Sequence, residues 1–508
     1  MMILDGKSLT LQGINDELGS PSELSLSPAS QILVRRSREV VEHILETGKT
    51  VYGVNTGFGK LANQRISSDK LKQLQVNLLR SHAAGTGGYL PHDTVRLILL
   101  LKINSLLRGY SGIRLEVIEA LIRLYNNNLI PAVRERGSVG ASGDLAPLAD
   151  LALPLIGEGQ FLMQDGSTRP AAEILKEFRL EAVELKEKEG LSLINGTQVS
   201  TAFAIESLGK IKDLFFTLSA TGAFSTEVML GTDTAFRAEI QAARNQTGQA
   251  FAGKLLYRLM AHSGYRDAHL DCDRVQDFYS LRCMPQVHGS LYDLITHAEK
   301  ILTQEANSTT DNPVTLINEN IIVSGGNFHA ASLAHIMDYL AIALTDVAAM
   351  SERRIAAFQE TSQSNLPMFL MKEAGLNSGF MIAHVTAAAL ASENKVFSHP
   401  ASVDSIPTSA NQEDHVSMAP TAGHKLKQVI SNASRIIAIE LMCAAQARDL
   451  NPQYHLAPCS ETIYQLIRQQ VPYLEVDGPL SAHIEAIHEM IASGAIASIV
   501  IQQLEGSA

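Results

Sequence analysis

Cysteine is scarce in this sequence, and the few cysteines form no framework. The 508 residues contain four of them, with no CxxC spacing: Cys272, Cys283, Cys443 and Cys459. Such usage favours free thiols in a reducing compartment over structural disulfides. The first residues, MMILDGKSLTLQG, also lack the basic and apolar regions of a signal peptide. We therefore expect a protein of the cytoplasm.

Long apolar runs and positive charge are scarce as well. We find no run of about 18 uncharged apolar residues, which is the length that a membrane helix needs, so we expect no membrane partner. The 41 lysines and arginines are outnumbered by 53 acidic residues, which gives a net charge of −12 without any long basic run. Because nucleic acids bind basic patches, we expect no nucleic-acid partner either.

Motifs for metals and dinucleotides are missing. The sixteen histidines include no HExxH motif, and no histidine or cysteine cluster has the spacing of zinc ligands. The segment GVNTGFG (53–59) lacks the GxGxxG spacing and the alternation of strands and helices that dinucleotide binding requires. The sequence therefore predicts neither a metal nor a dinucleotide cofactor.

Helical periodicity, in contrast, is abundant. Apolar residues recur at steps of three or four through 92–108, 114–125, 331–350 and 426–448. Strand signals are few: SLTLQ near the start alternates, and PVTLI followed by NENIIVSGG is typical of a small hairpin. We predict an all-α fold, with a long-helix bundle over 201–508 and a smaller, loop-rich N-terminal domain over 1–200 that carries a few short β elements.

The segment GSVGASGDLAPLAD (137–150) is the most informative loop. Its small residues permit a tight backbone, and Gly143 leaves its own amide nitrogen unhindered. If that nitrogen attacks the Ala141 carbonyl, a five-membered ring closes, and loss of water, including the Ser142 hydroxyl, leaves an exocyclic methylidene. The product is an electrophile that needs no external cofactor. A nearby carboxylate such as Asp144 is expected to help move protons, and DLAPLAD is expected to begin a helix whose positive end lies near the ring.

A lone Ala-Ser-Gly tripeptide is usually only a connecting loop, but the longer string GSVGASGDLAPLA resembles the signature of the aromatic amino acid ammonia-lyase family. That family forms a methylideneimidazolone (MIO) from Ala-Ser-Gly. Further segments resemble the family in the same order along the chain: YGVNTGFG (52–59), NLLRSHAAG (77–85), GLSLINGTQVSTA (190–202), VQDFYSLRCMPQVHG (275–289), NSTTDNP (307–313), SGGNFH (324–329), SERRI (351–355), GLNSGFMI (375–382) and SVDSIPTSANQEDHVSM (402–418).

The resemblance covers most of the chain and carries several expectations. It implies a largely helical fold, with the MIO formed from Ala141, Ser142 and Gly143 in the N-terminal domain as the only cofactor. It also implies a homotetramer whose active sites combine loops from more than one subunit. The reaction of the family is the elimination of ammonia from an amino acid, so we expect a carbon–nitrogen lyase.

The same resemblance assigns the acid–base chemistry. Tyr279, in QDFYSLR, is the first candidate for the base that takes the β-proton. Tyr52 is a second essential tyrosine, and the roles of the two are exchangeable. Arg282 is the candidate for the substrate carboxylate, because a guanidinium binds carboxylate through two parallel hydrogen bonds. It also lies one helical turn from Tyr279 if that segment is helical, where its charge is expected to lower the pKa of the phenol.

Three further residues match family positions that shape the site. Asn195 and Gln276 are expected to orient the substrate and the MIO, although loop capping explains an asparagine in INGTQ almost as well. Phe328, beside two glycines, resembles the aromatic wall of the family, and core packing is the alternative.

Two polar positions indicate which amino acid is the substrate. His82, in SHAAG, can hydrogen-bond an imidazole, whereas the leucine of the phenylalanine- and tyrosine-specific relatives only packs against a benzene ring. Glu413, in ANQEDHVSM, can pair with an imidazole N–H and stabilise its positive charge. Together they predict L-histidine as the substrate and trans-urocanate as the product, with Glu413 acting at the catalytic centre.

Other readings of the same residues stay open. A phenylalanine or tyrosine ammonia-lyase and an MIO-dependent 2,3-aminomutase share the electrophile, and the aminomutase differs mainly in returning the ammonia. A non-catalytic helical scaffold would be expected to lose the Ala-Ser-Gly triad, Tyr279 or Arg282, all of which are present. A metabolite-binding protein without turnover is the last alternative, which a test for the MIO separates.

Overall fold

The computed structural model describes residues 1–268 and 274–505, so Cys272 lies outside the described residues. Helices account for 61% of the described residues and strands for 7%, which confirms the predicted all-α fold. In chain order the α-helices are α1 (Leu11–Gly19), α2 (Pro28–Thr47), α3 (Leu71–His82), α4 (His92–Leu106), α5 (Leu115–Asn126), α6 (Leu145–Ala152), α7 (Ala171–Glu177), α8 (Glu189–Ile194), α9 (Gln198–Val228), α10 (Ala238–Arg244), α11 (Thr247–Leu259), α12 (Gly264–Ala268), α13 (Tyr279–Arg282), α14 (Met284–Ala306), α15 (Ala331–Phe358), α16 (Thr361–Ser364), α17 (Met381–Phe397), α18 (Ala419–Leu450), α19 (Pro458–Arg468), α20 (Ser481–Ala492) and α21 (Ala495–Glu505).

The strands are short and form four small sheets. They are β1 (Met2–Leu4), β2 (Leu24–Leu26), β3 (Thr86–Tyr89), β4 (Ile130–Pro131), β5 (Arg134–Arg136), β6 (Gln160–Leu162), β7 (Thr168–Pro170), β8 (Val314–Leu316) and β9 (Ile321–Val323). β1 runs parallel to β2, whereas the pairs β3–β5 and β8–β9 and the three-stranded order β4–β6–β7 are antiparallel.

The chain divides into two compact units, each assembled from three segments. Unit 1 comprises Met1–Glu206, Glu299–Met337 and Pro400–His424, and unit 2 comprises Ser207–Ala298, Asp338–His399 and Lys425–Ala508. The nine strands named above all lie in unit 1. The division of the chain into 1–200 and 201–508 stays a prediction. The compact units differ from it in that two later segments belong with the N-terminal residues.

The predicted long helices are confirmed as α4, α5, α15 and α18. In α4 every residue from Thr94 to Leu106 is buried, as expected for a helix inside a core. The chain leaves the helix before Gly109, whose φ of +76° lies in the left-handed region that favours glycine. In α2, Val40, Val41 and Ile44 pack with Val54, which anchors the loop that follows Tyr52.

The two predictions of strand structure had different outcomes. The hairpin is confirmed, because β8 and β9 pair with Val314 opposite Val323. The prediction of a strand at SLTLQ is wrong: residues from Leu11 onward form α1 instead. The Thr10 side chain accepts a hydrogen bond from the Gly13 amide at 3.0 Å, so a helix cap decides the structure where the short alternation suggested a strand.

One helix is more apolar than the sequence analysis expected. By length and composition alone, α15 can cross a membrane, and the bent pair α20–α21 passes the same test if it is taken as one span. In α15, however, 61% of the most apolar window is buried inside the protein. Core helices of soluble proteins have this property, because their apolar faces contact other helices.

Candidate active site

A cavity of about 510 Å³ lies in unit 1 and is lined entirely by residues of that unit. Its volume is within the range of small-molecule sites. Its walls come from the polar loops and helix ends between residues 52 and 413. They include six of the residues predicted from the sequence: Tyr52, His82, Ser142, Asn195, Phe328 and Glu413.

The Ala141-Ser142-Gly143 loop is held in a conformation that only glycine permits at its end. Gly143 has a φ of +79°, and a Cβ atom at this position would lie 2.1 Å from the Gly196 oxygen. Ala141 is buried and Ser142 is half-buried at the cavity wall. Among the hydrogen bonds of the described residues, none is donated by the Gly143 amide. The loop therefore leaves free the nitrogen that ring closure requires.

Asp144 fixes the other side of this loop. Its amide donates to the Gly196 oxygen at 2.7 Å, and its carboxylate accepts hydrogen bonds from the amide and hydroxyl of Ser200, both at 2.8 Å. Complete burial raises the pKa of the Asp144 carboxyl to about 6, against the opposing effect of the Ser200 hydrogen bonds. The predicted helix after it is confirmed as α6, which begins at Leu145.

Asn195 presents an unused polar atom at the cavity. It is 3% exposed, and its side-chain oxygen has no hydrogen-bond partner among the described residues. Its main-chain oxygen, in contrast, accepts a hydrogen bond of 2.6 Å from the ammonium of Lys102. The next residue, Gly196, directs its amide at the Ser142 oxygen, 3.5 Å away. A buried polar atom without a partner is unfavourable unless a ligand or water satisfies it.

Glu413 lies at the end of a tight turn that begins at Thr408. These two residues pair as an isolated antiparallel bridge, and the Thr408 hydroxyl donates to the Glu413 carboxylate at 2.7 Å. Within the turn, residues 409–411 all have positive φ, a conformation that is unfavourable for side-chain-bearing residues. The other carboxylate oxygen lies 3.4 Å from the Ser142 hydroxyl, which donates to it. The turn thus holds a carboxylate directly beside the Ala-Ser-Gly loop.

His82 is half-buried at the last position of α3. Its Nδ1 lies 2.9 Å from the Leu78 main-chain oxygen and 3.0 Å from the Ser81 hydroxyl. A carbonyl only accepts, so Nδ1 carries the proton, and Nε2 of the neutral ring is left as an acceptor. Burial lowers the pKa of His82, opposed by the Leu78 hydrogen bond and by the charge of Glu413. The neutral ring is therefore the favoured form.

Tyr52 brings a phenol to the cavity. Its phenol oxygen accepts a hydrogen bond of 3.4 Å from the Gly59 amide, and its ring meets Phe58 edge-on with centroids 6.4 Å apart. Burial raises the pKa of the Tyr52 phenol, and the negative charge of Glu413 adds to the effect. Phe328 lines the same cavity, as predicted for an aromatic wall residue.

The remaining predicted residues, Gln276, Tyr279 and Arg282, belong to unit 2. Tyr279 is 70% exposed at the start of α13, and Gln276 is exposed in the preceding segment. The Arg282 guanidinium carbon lies 4.6 Å from the centroid of the Tyr279 ring, and its Nε donates to the Asp277 oxygen at 3.0 Å. The structure confirms that Tyr279 and Arg282 are neighbours on one helical turn. Their roles stay predictions.

Sequence reasoning missed two residues that contact the site. Thr408 lies in the family segment 402–418, but only its hydrogen bond to Glu413 reveals its role. Lys102 had a signal, because it is the one charged residue in the apolar run LILLLKINSLL.

Within residues 1–268 and 274–505, no group of three or more histidine, cysteine or acidic side chains is placed to hold a metal ion. Cys283, Cys443 and Cys459 are free thiols.

Comparison with known proteins extends over nearly the whole chain. The chain is 47% identical over 489 residues to histidine ammonia-lyase of Legionella pneumophila, which covers 96% of each chain. It is also 46% identical over 494 residues to histidine ammonia-lyase of an Enterobacter species, and the match covers 97% of each chain.

Solved structures also match over nearly the whole chain, at lower identity. The crystal structure of histidine ammonia-lyase from Trypanosoma cruzi has a TM-score of 0.89 at 39% identity, over 99% of this chain and 95% of that one. Tyrosine aminomutase from Streptomyces globisporus has a TM-score of 0.92 at 33% identity, over 99% and 98%. The family model described as aromatic amino acid lyase matches residues 9–469. With the Ala-Ser-Gly loop, the cavity and these matches in agreement, the chain belongs to the aromatic amino acid lyase family.

Proposed function

We propose that this protein is a histidine ammonia-lyase, which eliminates ammonia from L-histidine to give trans-urocanate in the first step of histidine degradation. The observation that carries the proposal is the meeting of three groups on one cavity: the Ser142 hydroxyl, the Glu413 carboxylate and the free Nε2 of His82. The relatives named above as histidine ammonia-lyases, at 46–47% identity, support the same activity.

The Ala-Ser-Gly loop fits the formation of an MIO. Attack of the Gly143 nitrogen on the Ala141 carbonyl carbon forms the new C–N bond, and the former carbonyl oxygen leaves as water with the amide protons of Gly143 and Ser142. The Ser142 α-proton and hydroxyl leave as a second water. The unbonded Gly143 amide and the exclusion of any Cβ by the Gly196 oxygen support this assignment. When formed, the MIO supplies an electrophile that draws electrons from the substrate and assists departure of its amine.

The cavity offers two acceptors to the substrate ring. The His82 Nε2 and the Glu413 carboxylate each accept a hydrogen bond, so an imidazolium, which carries two N–H donors, satisfies both. A benzene ring would cover Glu413 without offering it an N–H donor. Sites built in this way reject apolar analogues strongly, because their own polar groups remain unpaired. This complementarity supports L-histidine over phenylalanine or tyrosine.

The elimination needs a base that takes the β-proton and a cationic group that binds the substrate carboxylate. As the β-carbon loses its proton, the Cα–N bond breaks, ammonia leaves and the carbon–carbon double bond forms. Because the pKa of Tyr52 is raised, its phenol keeps its proton at neutral pH and is suited to donating. We assign the base to Tyr279 and the carboxylate to Arg282, as their places in the family segment QDFYSLR imply. Asn195 and Gln276 orient the reacting groups, and the unpartnered Asn195 oxygen supports this role.

The assembly is part of the proposal. We infer a cytoplasmic homotetramer with shared active sites, in which Gln276, Tyr279 and Arg282 of one subunit complete the cavity of another. The exposure of Tyr279 and Gln276 supports this arrangement, since neither is held inside its own unit. The free thiols of Cys283, Cys443 and Cys459 are consistent with a reducing compartment.

An ultraviolet assay with L-histidine tests the proposal, with L-tyrosine and L-phenylalanine run in parallel. Urocanate from histidine alone is the expected result. The control is Ser142→Ala, which we expect to lose on the order of 10³-fold or more in kcat while keeping the thermal transition of the parent, because the electrophile cannot form. Cinnamate or coumarate without urocanate would contradict the substrate assignment, and normal turnover by Ser142→Ala would contradict the MIO chemistry. A β-amino acid as product would indicate an aminomutase.

A further inference from the structure

A buried lysine, Lys102, lies directly behind the wall of the cavity. Lys102 lies on α4 and is 1% exposed. Its ammonium donates to the main-chain oxygen of Asn195 at 2.6 Å, and no second acceptor is recorded for it among the described residues. An ammonium has three N–H donors and is strongly hydrated in water, so burial with one acceptor is costly.

A neighbouring buried lysine, in contrast, has the partners expected of a structural ion pair. Lys188 is also fully buried, but it forms an ion pair of 3.0 Å with Asp311 and donates to the Ser192 hydroxyl at 3.0 Å. Lys102 has no ion pair of this kind among the described residues. Its burial lowers the pKa of the Lys102 ammonium to about 7, although Asp311 and Asp144 oppose the effect. Of these two buried lysines, Lys102 has no carboxylate partner, and it is the one that bonds to Asn195 at the cavity wall.

The acceptor of Lys102 connects it to the Ala-Ser-Gly loop. The Asn195 oxygen belongs to the peptide whose amide is that of Gly196, and this amide faces the Ser142 oxygen at 3.5 Å. A cation bonded to the carbonyl of a peptide withdraws electrons from its nitrogen and makes the N–H a stronger donor. The Asp144 amide holds the Gly196 oxygen at 2.7 Å and keeps this segment against the loop.

We propose that Lys102 is a positioning residue for the maturation of the Ala-Ser-Gly loop, acting through the Asn195–Gly196 peptide to stabilise charge on the Ser142 carbonyl oxygen as Ser142 loses water. The inference rests on the proposed function, because this dehydration belongs to formation of the MIO. When a base takes the Ser142 α-proton, the electron pair moves onto the carbonyl oxygen, where the Gly196 N–H stabilises it. The pair then forms the Cα–Cβ double bond, and the hydroxyl leaves as water after accepting a proton.

Intact mass of the full chain measures this step without any substrate, since a matured chain is lighter by two waters. Lys102→Met removes the cation and keeps an unbranched side chain of similar length. Asn104→Leu is the matched control, because Asn104 is a fully buried residue of the same helix whose side chain donates to a main-chain oxygen, that of Ala306, at 2.9 Å. Both variants and the parent are sampled over time after a short pulse of expression, and their thermal transitions are recorded.

We expect the parent and Asn104→Leu to mature at similar rates and Lys102→Met to mature at least about tenfold more slowly, with retention of a cooperative transition. Maturation of Lys102→Met at the parent rate would overturn the inference, and so would equal slowing of Asn104→Leu, which would indicate general destabilisation. If Lys102→Met fails to fold, Lys102→Gln keeps an N–H donor without the charge. Its maturation at the parent rate would also overturn the role of the cation. A parent chain that never loses two waters would instead contradict the proposed function.

Discussion

Both units bury charged residues, but the cluster around Glu440 in unit 2 and the groups around the cavity of unit 1 differ in how completely their polar atoms are used. In unit 2, the Arg354 guanidinium binds both oxygens of Glu440, at 2.6 and 2.8 Å, and donates to the Ser280 main-chain oxygen at 3.1 Å. The hydroxyls of Ser225 and Ser351 each donate to one Glu440 oxygen. We call this cluster saturated, because each nitrogen of the guanidinium and each oxygen of the carboxylate has a hydrogen-bond partner.

The buried polar groups around the cavity of unit 1 are arranged differently. Lys102 makes one hydrogen bond, the Asn195 side-chain oxygen makes none, and Glu413 is half-buried beside the Ser142 hydroxyl. Unused buried polar atoms cost free energy, so a fold retains them where something else satisfies them. The contrast teaches that burial alone does not separate structural from functional charges, and that unused donors and acceptors matter where they lie beside a cavity that a ligand can enter.

The largest effect on stability is expected from the saturated cluster. Glu440→Gln leaves the Arg354 charge buried without its partner, so we expect the free energy of unfolding to fall by about 3–5 kcal/mol in urea titrations. The control is Glu485→Gln, which removes a half-exposed partner of Arg435 in the same unit and should cost at most about 1 kcal/mol.

Chains of the Glu440→Gln variant that do fold should still lose two waters, because this cluster lies outside the cavity lining. Equal stability of the Glu440→Gln and Glu485→Gln variants would show that the saturated cluster contributes nothing special. A folded Glu440→Gln chain that does not lose two waters would also contradict the contrast, because it would show that the Glu440 cluster affects the Ala-Ser-Gly loop.

The sequence predicted those features that depend on local pattern or on a motif. The long helices followed from the periodicity of apolar residues. Six cavity residues followed from the family segments, since each of them lies in one of these segments. The helix at Leu11 was missed, since the Thr10 cap is a single hydrogen bond that alternation over five residues does not reveal.

Other features depend on contacts between residues distant in the chain. The hydrogen bond of Lys102 to Asn195 joins positions 93 apart. The lone charge in an apolar run marks Lys102, but no pattern in the sequence identifies Asn195 as its partner. Residues 299–337 and 400–424 belong to unit 1, and this too depends on contacts between distant parts of the chain. Glu413 was recognised as a carboxylate for the substrate, but the positive-φ turn that holds it was not.

The effect of Glu413→Gln on activity should be the next largest. Glutamine keeps the size of the side chain and an acceptor for Thr408, but loses the charge that pairs with the substrate ring. We expect kcat/KM for L-histidine to fall by about 10- to 100-fold, the range for loss of a charge-assisted hydrogen bond, with an unchanged thermal transition. Asp414→Asn is the control, because this exposed neighbour is not among the residues that line the cavity. Loss of folding in Glu413→Gln would favour a structural role.

The smallest effect is expected from Thr408→Val, which removes the hydroxyl that donates to Glu413 and keeps the shape of the side chain. One hydrogen bond is worth about 0.5–1.5 kcal/mol, so we expect kcat/KM to fall by about threefold to tenfold, with little change in the thermal transition. Because Thr408 acts through Glu413, the two substitutions should not be additive: Thr408→Val should change the activity of Glu413→Gln less than that of the parent. Full additivity would mean that the turn, and not the carboxylate it holds, accounts for the effect of Thr408.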